Sequence, residues 1–248
     1  MLDIAGRGMI LWVVECALKA GNVDRVIVAT DDERILAYVQ AAGYEATMTS
    51  REHLSGSDRI AEVASALDDA DVIVNVQGDE PLISPVTIEC AVDELINADE
   101  AQIVTSCEAI TSAEDVLSPD VVKVVVDSGG RALYFSRSPV PYPRDAVKKY
   151  GSLENALHGD ASLFDSFRKH TGLYVYRRNF LLEYKGWSQS ELELTESLEQ
   201  LRALERGVTI RVIEAATPSI GVDTQEDLDR VRKIFERELR GKTLETRG

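Results

Sequence analysis

Apolar positions in this chain switch between two periods. Val23–Ala29 is a short, β-branched run that predicts a strand. Asp31–Ala42 then places Ile35, Val39 and Ala42 at the spacing of one helix face. The switch recurs. Ser57–Leu67 puts Ile60, Val63, Ala64 and Leu67 on one helical face, and Val72–Val76 reads as a buried strand. Ser84–Ile96 opens with Ser and Pro, which suits a helix start. Ahead of these, Met9–Lys19 has helix-spaced apolar side chains at Ile10, Val13, Val14, Ala17 and Leu18. Strands and helices in turn imply βαβ units and a mostly parallel sheet.

The second half reads differently. Ile103–Ser106, Val121–Val126 and Ala132–Phe135 are strand-like, and Asp127-Ser-Gly-Gly between the last two signals a hairpin. A proline-rich stretch, Ser138–Pro143, leads into a polar loop region near Lys148–Asp160. Gly172–Tyr176 is again strand-like, Phe180–Tyr184 and Thr195–Glu205 look helical, and Val208–Glu214 alternates as a strand does. A helix across Gln225–Leu239 closes the pattern, with Gly241–Gly248 as a frayed tail. The expectation is one α/β domain over residues 1–240 with an antiparallel excursion, followed by a flexible tail over 241–248.

Composition narrows the function. Among 248 residues, 27 Lys+Arg against 43 Asp+Glu leave a net charge of −16. Such a surface disfavours a nucleic-acid polymer, whose phosphates attract basic proteins. One small nucleotide is still compatible, because a divalent cation can bridge two sets of anions. No apolar run reaches the roughly 18 residues of a membrane helix, and the start MLDIAGRGMI lacks a secretory pattern. Three cysteines without a Cys-x-x-Cys pair fit neither a disulfide framework nor zinc, and point to a reducing cytoplasm.

In open α/β sheets, ligands sit beyond the carboxyl ends of the strands. There the chain offers Thr30-Asp31-Asp32, Gln77-Gly78-Asp79-Glu80-Pro81 and Gly221-Val222-Asp223-Thr224. Asp79 and Asp223 could share a Mg²⁺ ion, a hard cation that prefers oxygen. The plainer alternative makes Asp223 the cap of the last helix and Asp79 a turn residue, with Asp32 and Glu80 likewise a cap and a turn residue. Ser55-Gly56-Ser57-Asp58-Arg59 offers backbone N–H groups at a helix start, or is simply a cap formed by Ser57. Neither a P-loop nor a dinucleotide fingerprint is present. Arg137 and Arg144 bracket the proline-stiffened loop and could clamp a carboxylate, or be ordinary surface arginines. His170 and Tyr174 fall on one strand face, where a satisfied structural histidine is the simpler reading of His170.

Taken in order, DRVIVATDD, SGSDRIAEV, VIVNVQGDEP, GRALYFSRSPVPYPR, KHTGLYVYRR, LELTESLEQLRALERG and GVDTQEDLDRV resemble the 3-deoxy-manno-octulosonate (Kdo) cytidylyltransferases, the CMP-Kdo synthetases. The resemblance runs from Leu2 to about Phe235. It implies a Rossmann-like nucleotidyltransferase fold with helices on both faces of a mixed, mostly parallel sheet. The implied reaction is attack of the Kdo 2-hydroxyl on the α-phosphate of CTP, giving pyrophosphate and CMP-Kdo for lipopolysaccharide. It implies Asp79 and Asp223 as Mg²⁺ ligands, and Ser55, Gly56, Arg59 and Gln77 beside the nucleotide. Arg137 and Arg144 would bind the sugar acid, and His170, Tyr174, Glu199 and Gln200 would line its pocket. The family is dimeric, which points to residues 121–145 as part of an interface. Family members also carry a buried first strand and a basic phosphate loop ahead of the segment matching Leu2–Gly6, so the first strand is expected to be absent here. That departure keeps two alternatives open: the same chemistry on another acidic sugar (8-amino-Kdo or a sialic acid), and a non-catalytic binding paralogue.

Overall fold

The computed structural model describes residues 2–53 and 55–245, with side chains up to residue 237. Its contacts divide the chain into two compact units. Unit 1 comprises Met1–Asp68, Asn75–Glu89 and Ala216–Gly248, and unit 2 comprises Asp69–Val74 and Cys90–Ala215.

Unit 1 starts with a tight antiparallel pair, β1 (Asp3–Ile4) and β2 (Arg7–Gly8), turned by Ala5 and Gly6 at φ 54° and 79°. Helix α1 (Met9–Ala17) follows directly. Next, β3 (Ile27–Thr30) lies parallel to β4 (Glu45–Met48) through the crossover helix α2 (Glu33–Ala41). This is a βαβ unit, as the periodicity predicts, although β4 is short, mostly exposed and has no apolar signature. Leu11 and Val14 of α1, Val28 of β3 and Val39 of α2 bury together beneath it. Asp32 caps α2 by accepting the Arg34 N–H. Helix α3 (Gly56–Ala64) is capped by Ser55, not by Ser57, which is buried inside the first turn. Helix α4 (Pro85–Asn97) starts at its proline, where a missing N–H is harmless.

Unit 2 is built on a six-stranded sheet in the order β10-β6-β9-β7-β8, with β5 (Val72–Asn75) also pairing with β9. Here β6 is Ile103–Ala109, β7 Lys123–Val126, β8 Ala132–Ser136, β9 Arg168–Arg177 and β10 Ile210–Glu214. β10 runs parallel to β6, whereas β9 runs antiparallel to both β6 and β7. The expected β7–β8 hairpin forms, with Asp127 accepting from the Gly129 and Arg131 N–H groups. The architecture is therefore mixed α/β with helices on a largely buried sheet, as expected.

Two expectations need correction. The stretch near Lys148–Asp160 is not a polar loop but helices α6 (Arg144–Tyr150) and α7 (Leu153–Gly159), followed by a 3-10 helix at Ala161–Ser166. Leu157 packs with Ile110, Ala113, Val116 and Phe167 in a small second core. Those partners include Ala113 and Val116 of α5 (Ala113–Leu117), which the sequence pattern also missed. Second, the helix expected over Thr195–Glu205 is broken. After α8 (Arg178–Tyr184), α9 (Glu191–Glu196) ends on Ser197 in a left-handed conformation (φ 53°, ψ 48°), and α10 (Gln200–Glu205) begins anew.

The last helix, α11 (Gln225–Glu245), continues past Gly241, and 246–248 of the expected tail lie outside the described residues. Its Leu228, Val231 and Phe235 pack on Ile4 in unit 1, with the Trp12 and Phe235 ring centroids 4.5 Å apart.

Candidate active site

In unit 1 the loop after β5 meets the loop before α11. The Val222 N–H donates to the Asp79 carbonyl at 2.9 Å, which sets the two loops side by side. Gly221 lies beside both acids: the position of a Cβ there is 3.6 Å from a Glu80 carboxylate oxygen and 3.9 Å from Asp223 Oδ2. Glu80 is held by the Ser219 hydroxyl, and the 77–80 turn closes through backbone alone, Glu80 N–H to the Gln77 carbonyl. Asp79 is half-buried; burial raises its carboxyl above the usual range, and the negative charge of Asp223 pushes it the same way. Asp223 is exposed.

Asp79 is the turn residue that the plainer reading makes it, within the turn closed from Glu80 N–H to the Gln77 carbonyl. The plain reading of Asp223 fails: α11 is capped by Thr224, whose Oγ1 accepts the Asp227 N–H while Asp227 Oδ2 accepts from the Thr224 N–H and hydroxyl. Asp223 joins that cap through its backbone N–H, toward the Asp227 carboxylate, and not as the capping side chain. Two carboxylates brought together with one of them desolvated repel each other, and a cation relieves both costs. Among the described residues no group of three or more His, Cys, Asp or Glu converges as a metal cage. A pair of carboxylates instead suits Mg²⁺, which keeps waters and takes phosphate oxygens.

The other residues expected beside the nucleotide also lie in unit 1. Ser55 accepts the Asp58 N–H as the α3 cap, and Gly56 faces the side-chain amides of Asn75 and Gln77, each 3.8 Å from where a Cβ would be. Arg59 is a brace. Its Nη2 meets Asp31 at 2.9 Å and its Nη1 donates to Thr49 Oγ1 at 2.6 Å, tying α3 to the ends of β3 and β4. A cavity of about 330 Å³ opens beside these loops, lined by Ile10, Val28 and Ile35 on its apolar side and Gln77, Gly78 and Asp79 on its polar side.

The residues expected to line the sugar pocket lie in unit 2. His170 and Tyr174 share a face of β9, with ring centroids 5.3 Å apart, and Phe135 meets His170 edge-on at 5.0 Å. His170 Nε2 is 2.9 Å from Thr105 Oγ1, and burial pushes its pKa down to about 3, so the ring is neutral at pH 7. Burial likewise raises the Tyr174 phenol well above its ordinary range. Gln200 is 5% exposed, and its Nε2 has no hydrogen-bond partner among the described residues. A buried amide donor left open is a position for a ligand oxygen. The Glu199 carbonyl next to it accepts the Tyr184 hydroxyl at 2.7 Å.

Arg137 differs from the free clamp that the sequence suggests. Its Nε, Nη1 and Nη2 donate to the carbonyls of Glu196, Pro119 and Ser197 at 2.7, 2.9 and 3.3 Å. Of the five N–H donors on a guanidinium, two are left over. Arg144, by contrast, is exposed, and among the described residues its guanidinium meets the neighbouring Asp145 at 3.8 Å. Sequence reasoning passed over two residues beside Arg137. Glu196 and the fully buried Lys123 both bind it, and an uncharged environment around Lys123 in a Val-rich strand was the available signal.

The cytidylyltransferase family matches residues 1–210. The 3-deoxy-manno-octulosonate cytidylyltransferase of Trichlorobacter lovleyi is 49% identical over 94% of this chain and 90% of its own length, and that of Geotalea daltonii is 52% identical over 93% and 89%. This chain belongs to the 3-deoxy-manno-octulosonate cytidylyltransferase family. A solved CMP:2-keto-3-deoxy-manno-octonic acid synthetase complexed with CTP superposes on it with a TM-score of 0.84 at 42% identity, covering 96% of this chain and 91% of that one. A glucose-1-phosphate thymidylyltransferase from Bacillus anthracis, 15% identical with a TM-score of 0.62, shares the nucleotidyltransferase fold of the family.

Proposed function

We infer that this cytidylyltransferase transfers CMP from CTP to the 2-hydroxyl of Kdo, releasing pyrophosphate and forming CMP-Kdo. The observation that carries the reading is the pairing of Asp79 with an Asp223 whose carboxylate is not the cap of α11. The test is release of pyrophosphate by the purified chain from CTP plus Kdo. Turnover of 8-amino-Kdo or a sialic acid but not Kdo would reassign the substrate, and a folded chain inert toward all three would favour the binding paralogue.

In such a displacement the protein positions the reactants and neutralises charge. We propose that Asp79 and Asp223 hold Mg²⁺; when bound there, the ion would polarise the α-phosphate and shield the departing pyrophosphate. Ser55, Gly56, Arg59 and Gln77 are proposed to orient the nucleotide, the first two through a capped helix start and Gln77 through its amide. Arg59 contributes by holding the ends of β3 and β4 in place.

On the sugar side, the two leftover Arg137 donors suit the acid group, with the exposed Arg144 at the start of α6 as a second cation. The Gln200 amide and the Glu199 carboxylate suit sugar hydroxyls. His170, neutral and engaged with Thr105, serves as a packed polar wall beside Tyr174 and not as a proton acceptor. We further propose a homodimer. Leu133 at 53% exposure and Tyr142 at 62% stand on or near the β7–β8 excursion and are large apolar side chains for a monomer to leave in water. No helix among the described residues is long and apolar enough to cross a membrane. A cytoplasmic enzyme supplying lipopolysaccharide synthesis is the setting that fits the proposed product.

A further inference from the structure

We propose that Glu196 is a positioning residue for the acidic sugar, a role that rests on the reading above. Its carboxylate accepts the Ser136 hydroxyl at 2.7 Å and the Arg137 backbone N–H at 2.9 Å, and its carbonyl accepts Arg137 Nε at 2.7 Å. One residue thus grips Arg137 at the main chain and at the guanidinium. From the other side Lys123 fixes Arg137 by donating to its carbonyl at 2.6 Å, and also donates to the Val121 and Ser118 carbonyls. Arg137 therefore has its N–H, its C=O and three guanidinium N–H groups held, and two donors remain with a set direction.

The same clasp acts on the other proposed sugar contacts. Glu196 ends α9, and Ser197 takes the left-handed turn that starts the path to Glu199 and Gln200. Arg137 closes over that turn through the Glu196 and Ser197 carbonyls. The left-handed residue and the buried, unpartnered Gln200 amide are therefore tethered to the end of β8. Loss of the Glu196 carboxylate frees the Arg137 N–H and the Ser136 hydroxyl together. It loosens the direction of the Arg137 donors and of the Gln200 amide; the carboxylate's partners Tyr134, Ser136 and Arg137 all belong to unit 2.

The test compares full-length wild type, Glu196→Ala, Glu196→Gln and Ser136→Ala in steady-state pyrophosphate release. Glu196→Ala is expected to raise the KM for Kdo by tenfold or more while the KM for CTP stays within twofold. Glu196→Gln keeps one acceptor oxygen and should recover part of the loss. If Glu196→Ala does not fold, as judged by circular dichroism, Ser136→Ala decides: it should raise the KM for Kdo severalfold and leave that for CTP unchanged. A folded Glu196→Ala with wild-type KM for Kdo, or with both KM values raised equally, overturns the positioning role and leaves the proposed reaction standing. A wild-type chain that releases no pyrophosphate overturns the proposed reaction, and this role with it.

Discussion

Asp79 carries two opposing demands: it is desolvated, which favours its neutral form, and it neighbours another acid. Removing one of the two charges relieves the repulsion and should leave folding unharmed. Asp79→Asn and Asp223→Asn are each expected to lower turnover on the order of 100-fold or more at fixed Mg²⁺. Thermal melts should stay within a few degrees of wild type, and near-normal rates would remove the pair from the metal site. His170 gives a pH signature. Its folded pKa of about 3 lies below the ordinary 6.5, so between those values the unfolded chain takes up a proton that the native chain refuses. Stability therefore falls as pH drops through that window, by up to about 1.4 kcal/mol per pH unit from this group, and is unaffected by it above pH 7. Urea titrations from pH 4 to 7 should show a shallower decline for His170→Gln than for wild type. Asp79 and Asp223 were legible because strand-end acids beside glycine are a local pattern. Glu196 was not, because its partners lie 59 and 60 residues away and no spacing rule connects them.

At the level of elements, α9 and α10 depend on a buried ion pair. Arg202 Nη2 meets Glu193 Oε1 at 2.6 Å with both side chains about 5% exposed, and Glu193 also completes a capping box with Ser190. Burial works to raise the Glu193 carboxyl, yet the Arg202 hydrogen bonds hold it below its usual range. Glu193→Ala strands a buried guanidinium and removes half the box. A loss of about 3–5 kcal/mol is expected in chemical denaturation, where a lone surface pair would give under about 1 kcal/mol. Ser197 at φ 53° offers the reverse change: Ser197→Gly relieves a left-handed penalty of about 1 kcal/mol and should raise the midpoint slightly. These details explain what the periodicity could show. Regular runs such as Val72–Val76 and Ser84–Ile96 were readable because burial on one face leaves a period. The α9–α10 break was not, since a helical pattern continues across Ser197, and the turn is held by the Ser197 and Leu198 N–H groups on the Glu193 carbonyl together with tertiary bonds from Arg137. β4 and α7 were missed because four or seven residues are too few to establish a period, and α7 is stabilised by partners far away in the sequence.

For the whole molecule, charge and exposed apolar surface point in different directions. A net charge of −16 keeps chains apart at low salt, whereas Leu133 and Tyr142 favour association. If the proposed dimer uses that region, sedimentation should find a dimer for wild type and a shift toward monomer for Leu133→Lys. Added salt should strengthen the wild-type dimer by screening the repulsion. A dimer unaffected by Leu133→Lys would move the interface elsewhere.

The interleaving of the two units also has a bearing on synthesis. Ile4 and Trp12 leave the ribosome more than two hundred residues before Leu228, Val231 and Phe235, which cover them. The usual order, in which the amino-terminal part matures first, cannot apply to unit 1. Unit 2, complete once Ala215 has emerged, is free to fold while Ile4 and Trp12 of unit 1 still wait for their cover. A premature stop codon ahead of Leu228 would thus injure unit 1 more than unit 2.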